Sequence, residues 1–208
     1  MKVEVLTKDG QKSGRQVELA DAIFSIEPND HCIYLTVKQY LANQRQGTHS
    51  SLEKSEVSGS TRKLHKQKGT GGSRKGSIKN PLYKGGGRIF GPKPRDYSFK
   101  LNKKVKDLAR RSALTYKAKA NEIVVVENFE LPDNKTKSYV QILKNLGLDK
   151  SKTLMVLPSS NRNIELAGRN LPKAKTLTAS KLNTYEVLNA KNLIFMEGAL
   201  ANIPTIQN

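Results

Sequence analysis

Cysteine is nearly absent: Cys32 is the only one in 208 residues, which excludes an intramolecular disulfide and fits a reducing cytoplasm. The three histidines, His31, His49 and His65, give no ligand spacing with a single thiol, so no metal is expected. Long apolar runs are missing as well. Lys2, Glu4, Lys8, Asp9, Lys12 and Arg15 interrupt the opening stretch, and no run approaches the roughly 18 apolar residues of a membrane helix. The reading is a protein neither secreted nor membrane-spanning. Acidic residues are few, 18 against 37 Lys and Arg. Glu53 and Glu56 lie near each other without a histidine or nucleophile pattern beside them, so acid–base catalysis has no candidate and an enzyme is not expected.

The shortage of acid is most marked from Thr61 to Arg95, which has eleven Lys/Arg and no Asp or Glu. The same stretch holds eight of the fifteen glycines and three of the eight prolines. Its large apolar side chains are few: Leu64, Ile78, Leu82, Ile89 and Phe90, with Tyr83 beside them. Such a segment buries too little apolar surface to offset its ordering entropy, so alone it should be extended and mobile, and a polyanion would complete it. The net charge is +19, and the chain outside this segment is also basic. Together these are the electrostatic footprint of a nucleic-acid-binding protein.

Around this segment the chain reads as one α/β domain. Lys2 to Thr7 alternates like a strand, Lys8-Asp9-Gly10 turns, and Gln16 to Leu19 pairs back. From Asp30, taken as an N-cap, to Gln46, the residues Ile33, Tyr34, Val37, Tyr40 and Leu41 recur at helical spacing, and Gly47 stops the pattern. Between Gly47 and Ser98 no period is sustained, and a structureless stretch that long inside a domain is functional or disordered. Run out and back, each limb would reach at most about 80 to 90 Å. A helix from Lys103 to Asn121 places Val105, Leu108, Ala109, Ser112 and Tyr116 on one face, with Lys104, Lys106, Arg110, Arg111 and Lys117 largely elsewhere. The apolar runs Glu122–Val126, Thr153–Leu157 and Asn192–Met196, with a weaker one at Ala174–Thr178, read as strands buried on both faces. Helical patterns at Thr136–Leu146, Asn161–Arg169 and Thr184–Asn189 separate them, and Pro204 leaves little room for a last helix. The expected fold is α/β: a mostly parallel sheet with helices on both faces, three layers of Rossmann-like topology, carrying a long extended basic loop. Residues 1–46 and 99–208 form the domain and 47–98 the loop.

Nucleotide templates fail on this loop. A P-loop needs G-x-x-x-x-G-K-[ST] after a strand, but Gly71 to Ser77 places lysine before glycine with no strand ahead. Gly69-Thr70-Gly71 begins a dinucleotide fingerprint, yet Arg74 occupies the third glycine position. No cofactor is expected. RNA fits better: Arg and Lys neutralise phosphates, glycines let the backbone approach closely, and Tyr83 and Phe90 either stack on unpaired bases or anchor the loop on its own apolar residues. The cations assigned to RNA are Arg45, Arg62, Lys63, Lys66, Lys68, Arg74, Lys75 and Lys79, then Lys84, Arg88, Lys93 and Arg95, and on the domain Lys103, Lys104, Arg110 and Arg111.

The run QKGTGGSRKGSIKNPLYKGGGRIFGPKPRDYSFKLNKKV resembles the signature of the bacterial large-subunit ribosomal protein four family. Upstream, Arg45-Gln46-Gly47-Thr48 and Glu56-Val57-Ser58-Gly59-Ser60 fit it too. The KGTG, GGG, FGP and PRDY elements follow at the family's spacing. The resemblance implies a non-catalytic constituent of the large subunit that binds large-subunit (23S) ribosomal RNA, supports assembly and neighbours other large-subunit proteins. It further implies that the loop tip, Gln67, Lys68, Gly69, Thr70, Gly71, Gly72, Ser73 and Arg74, lines the nascent-peptide exit tunnel. No homo-oligomer is expected. Where the family usually follows KGTG with Arg-Ala-Arg, this chain has Gly72-Ser73-Arg74, one tip cation fewer. A free RNA chaperone has the same composition and is the alternative.

Overall fold

Lys2–Leu6 (β1) pairs antiparallel with Lys12–Glu18 (β2) across a turn at Gly10, whose φ is +80°. Every other pairing in the sheet is parallel. Ile123–Val126 (β3) lies beside β1, Asn192–Met196 (β6) beside β3, Thr153–Leu157 (β4) beside β6, and Ala174–Thr178 (β5) at the far edge. The spatial order is thus β2-β1-β3-β6-β4-β5, a six-stranded open sheet of the expected class. All five β4 side chains are buried, which requires cover on both faces.

The helices supply that cover. In chain order they are Asp21–Phe24 (α1), Asp30–Asn43 (α2), Lys103–Lys119 (α3), Thr136–Asn145 (α4), Arg162–Arg169 (α5), Thr184–Asn189 (α6) and Glu197–Leu200 (α7). The steps β3 to β4 and β4 to β5 move one way across the sheet and β5 to β6 moves back. Right-handed crossovers then place α6 opposite α4 and α5. The packing agrees, since α4 lies against α5, while α6 lies against α3 and α3 against α1. Between the layers Phe24 meets Phe195 edge to face, with ring centroids 6.2 Å apart. Phe195, Leu193 and Leu154 are essentially fully buried, each stabilising by about 2 kcal/mol.

The structure, a computed structural model, describes residues 1–204, so the last four positions of the expected domain, 205–208, lie outside the described residues. The chain divides into two compact units, Met1–Leu41 with Lys100–Asn208, and Ala42–Phe99. Among the described residues no helix is long and apolar enough to cross a membrane.

Three local expectations are corrected. Asn29, not Asp30, caps α2: its side-chain oxygen accepts from the Cys32 N–H at 2.9 Å, and Asp30 opens the helix proper. That helix ends at Asn43, short of Gly47. On α3, Tyr116 is exposed and its hydroxyl donates to Asp30 at 2.7 Å. Ala109 and Ser112 are buried as expected, and Asp107, Ala113, Leu114, Thr115 and Ala118 complete the buried face, mostly small residues that let the helix approach its neighbours closely.

Candidate nucleic-acid interface

Residues 44–99 contain no helix or strand, yet they are not without order, because backbone bonds tie the outgoing limb to the returning one. The Arg95 N–H donates to Gly47 O at 3.1 Å, Ser51 N–H to Pro92 O at 2.9 Å, Arg88 N–H to Leu52 O at 2.8 Å and Leu64 N–H to Gly76 O at 3.2 Å. The pairs are nested, as in a chain that goes out and comes back. Lys93 adds a side-chain brace, 3.0 Å from Glu56 and 3.5 Å from Glu53. The Glu53 N–H donates to the Glu56 carboxylate and Lys93 follows, which together hold Glu56 below its ordinary value.

The glycines divide into two kinds, and here the structure corrects the sequence reading. A Cβ on Gly87 would meet the Lys54 backbone at 2.3 Å, one on Gly86 would meet Asn80 O at 2.0 Å, and one on Gly47 would meet Arg95 O at 2.1 Å. These glycines let the chain approach itself rather than RNA. Gly69, Gly71, Gly76 and Gly85 have nothing within 4 Å, and Gly72 only Thr70 O at that limit. Of these open glycines, Gly69, Gly71, Gly72 and Gly76 belong to the innermost turn, closed by Leu64 and Gly76. Within it every residue from His65 to Lys75 is exposed, including all eight assigned to the tip.

The loop cations face outward. Arg62, Lys63, Lys66, Lys68, Arg74, Lys75, Lys84, Arg88 and Arg95 are exposed and Lys79 is half-buried. Among the described residues, Lys93 alone of the eleven forms an ion pair. Ten cations without a carboxylate within one small unit repel one another, and an external polyanion would relieve this.

The two aromatic residues part company. Phe90 is fully exposed, at 103%, with φ +52°, a left-handed conformation that costs an ordinary side chain about 1 to 2 kcal/mol. Tyr83 is half-buried, its hydroxyl is enclosed and Lys75 lies 5.6 Å from its ring centre. One aromatic residue escaped the sequence reading. Arg45 Cζ lies 3.7 Å and Arg95 Cζ 4.5 Å from the Tyr97 ring centre. A hydrogen bond from Arg95, with the nearby positive charges, pulls the Tyr97 phenol below its ordinary value. The adjacent Arg95 hinted at this, but Arg45 is too distant in sequence for any local signal.

On the domain, Lys103 and Lys104 are exposed, whereas Arg110 and Arg111 are turned inward. Asp107, 2% exposed, pairs with Arg110 and with Arg111 Nε at 3.0 Å, and Arg110 also donates to Pro204 O. The pair therefore stabilises α3, and the basic stripe expected to continue along this helix is interrupted there. The cleft at the C-terminal ends of the strands, where doubly wound folds take nucleotides, measures 320 Å³ and is lined by Asn128, Glu130, Pro158, Ser159, Asn161 and apolar neighbours. It offers a phosphate no cation and one carboxylate.

The Ribosomal protein L4/L1 family matches residues 17–206. A large ribosomal subunit protein uL4 of Parabacteroides distasonis is 63% identical over 201 residues, spanning 97% of this chain and 96% of the relative. That of Flavobacterium psychrophilum is 58% identical over 203 residues, spanning 98% and 97%. The Cytophaga hutchinsonii protein of the same name is 53% identical over 208 residues, the full length of both. A basic, cross-braced loop on an α/β domain, matched along nearly its whole length, thus places the chain in the Ribosomal protein L4/L1 family, a family of structural and not catalytic proteins.

Proposed function

We propose that the protein is a structural constituent of the large ribosomal subunit in the cytoplasm, binding large-subunit ribosomal RNA mainly through residues 42–99. The observation that carries this is the set of ten loop cations, Arg62 to Arg95 with Lys93 excepted, that form no ion pair among the described residues. They meet backbone phosphates, while Phe90, held proud of its surroundings, stacks on an unpaired base. Lys103 and Lys104 extend the contact onto the domain. The exposed turn from Gln67 to Arg74 is the innermost of the nested loop, which supports placing it deepest in the RNA, beside the nascent-peptide exit tunnel. Neighbouring large-subunit proteins pack around the rest.

Sucrose-gradient sedimentation of a cell extract tests the reading. The protein should travel with the large subunit and withstand a high-salt wash. Recovery of most of it at the top of the gradient would instead favour a free RNA chaperone.

A further inference from the structure

We infer that Tyr97 is a positioning residue, holding the guanidinium groups of Arg45 and Arg95 as a two-pronged clamp for backbone phosphates of the RNA; the inference rests on the RNA-binding reading above. The two arginines are fifty residues apart in sequence, and a single ring gathers them, at 3.7 and 4.5 Å from its centre. Gly47 makes the convergence possible. Its φ is +65°, its carbonyl accepts the Arg95 N–H, and a Cβ in its place would meet Arg95 O at 2.1 Å and Tyr97 Cε2 at 2.9 Å.

Two like charges brought to one ring need a reason, and intramolecular neutralisation is not it. Among the described residues neither arginine has an ion-pair partner, although a carboxylate is next to Tyr97 in the chain. Asp96 is turned instead to Ser98, accepting from its N–H and its hydroxyl, each at 2.8 Å. A guanidinium carries several N–H donors, so each exposed arginine keeps donors for phosphate oxygens beyond the one that Arg95 gives the Tyr97 hydroxyl. Both arginines are exposed, and Tyr97 is half-buried. The ring thus fixes two flexible side chains before the anion arrives, which lowers the ordering cost of binding.

The test titrates the full-length protein with large-subunit ribosomal RNA transcribed in vitro, at several salt concentrations. Tyr97→Leu should weaken binding and make the slope of log affinity against log salt shallower by about 0.7 to 1.8, the equivalent of one or two phosphates. Tyr97→Phe keeps the ring face and should keep most of the slope. Arg45→Met and Arg95→Met leave the ring in place, and each should remove about one phosphate's worth, so the clamp is tested even if Tyr97→Leu disturbs the loop. A Tyr97→Leu protein that binds more weakly at an unchanged slope has lost only structure, and that result overturns the inference. So does an unchanged slope in both arginine variants. A wild-type slope near zero would overturn the RNA-binding reading itself, a failure distinct from these.

Discussion

At the residue scale, the loop owes its order to positions where a side chain is excluded. Gly87→Ala drives a methyl group into the Lys54 backbone at 2.3 Å and should loosen the cross-bracing of residues 42–99. Gly72→Ala has open space and a φ outside the left-handed region, so it should leave the fold unchanged. Limited proteolysis of the two variants separates them: faster cleavage within the loop is expected only for Gly87→Ala. The Glu56–Lys93 brace gives a pH dependence. Glu56 titrates below its ordinary value of 4.5 in the folded protein, so its contribution is complete above that value and is lost as pH falls through the lowered one. A carboxyl NMR titration should find the Glu56 midpoint below 4.5, and Lys93→Met should move it upward.

At the scale of elements, α3 shows how a helix with a basic sequence is stabilised from inside. Asp107 is buried against Arg110 and Arg111, and removing one partner of a buried pair leaves an uncompensated charge. Asp107→Ala should cost about 3 to 5 kcal/mol, seen as a lower thermal midpoint by circular dichroism; a loss under 1 kcal/mol would show that solvent already screens the arginines. The same helix marks the limit of what the sequence discloses. The strands at Thr153–Leu157 and Asn192–Met196 were legible to the residue, because a strand buried on both faces is an unbroken apolar run between turn residues, whereas Ala174–Thr178, expected to be buried likewise, is a partly exposed edge strand containing lysine and two threonines and gives the weaker signal. The buried face of α3 was legible only at Ala109 and Ser112, because apart from Leu114 it is made of alanine, serine, threonine and an aspartate, which carry no hydrophobic period. The engagement of Arg110 with Asp107 and Pro204 also left no trace in the sequence, because it depends on tertiary neighbours. The short helices α1 and α7, four residues each, are too brief to leave a periodic signal. The role of Gly86 and Gly87 was misread for a related reason: sequence reveals that a glycine is present, not which backbone crosses it.

At the scale of the whole molecule, the proposed function divides folding and RNA binding between different parts of the chain. The apolar runs of the sheet and helices lie outside residues 60–96, and shortening a loop changes closure entropy by only about 0.6 kcal/mol per halving. Replacing Ser60 to Asp96 with a short Gly/Ser linker should therefore leave a cooperatively unfolding α/β domain that is still net positive, with Lys103 and Lys104 in place. The most direct measurement is the salt dependence of binding to large-subunit ribosomal RNA for the full chain and this shortened chain side by side. If about half of the eleven loop cations meet phosphates, the full chain should show a slope of log affinity against log salt of about −4, and the shortened chain a slope nearer −1 with much weaker binding. Equal slopes in the two proteins, with the shortened chain still folded, would contradict the assignment of RNA binding to the loop.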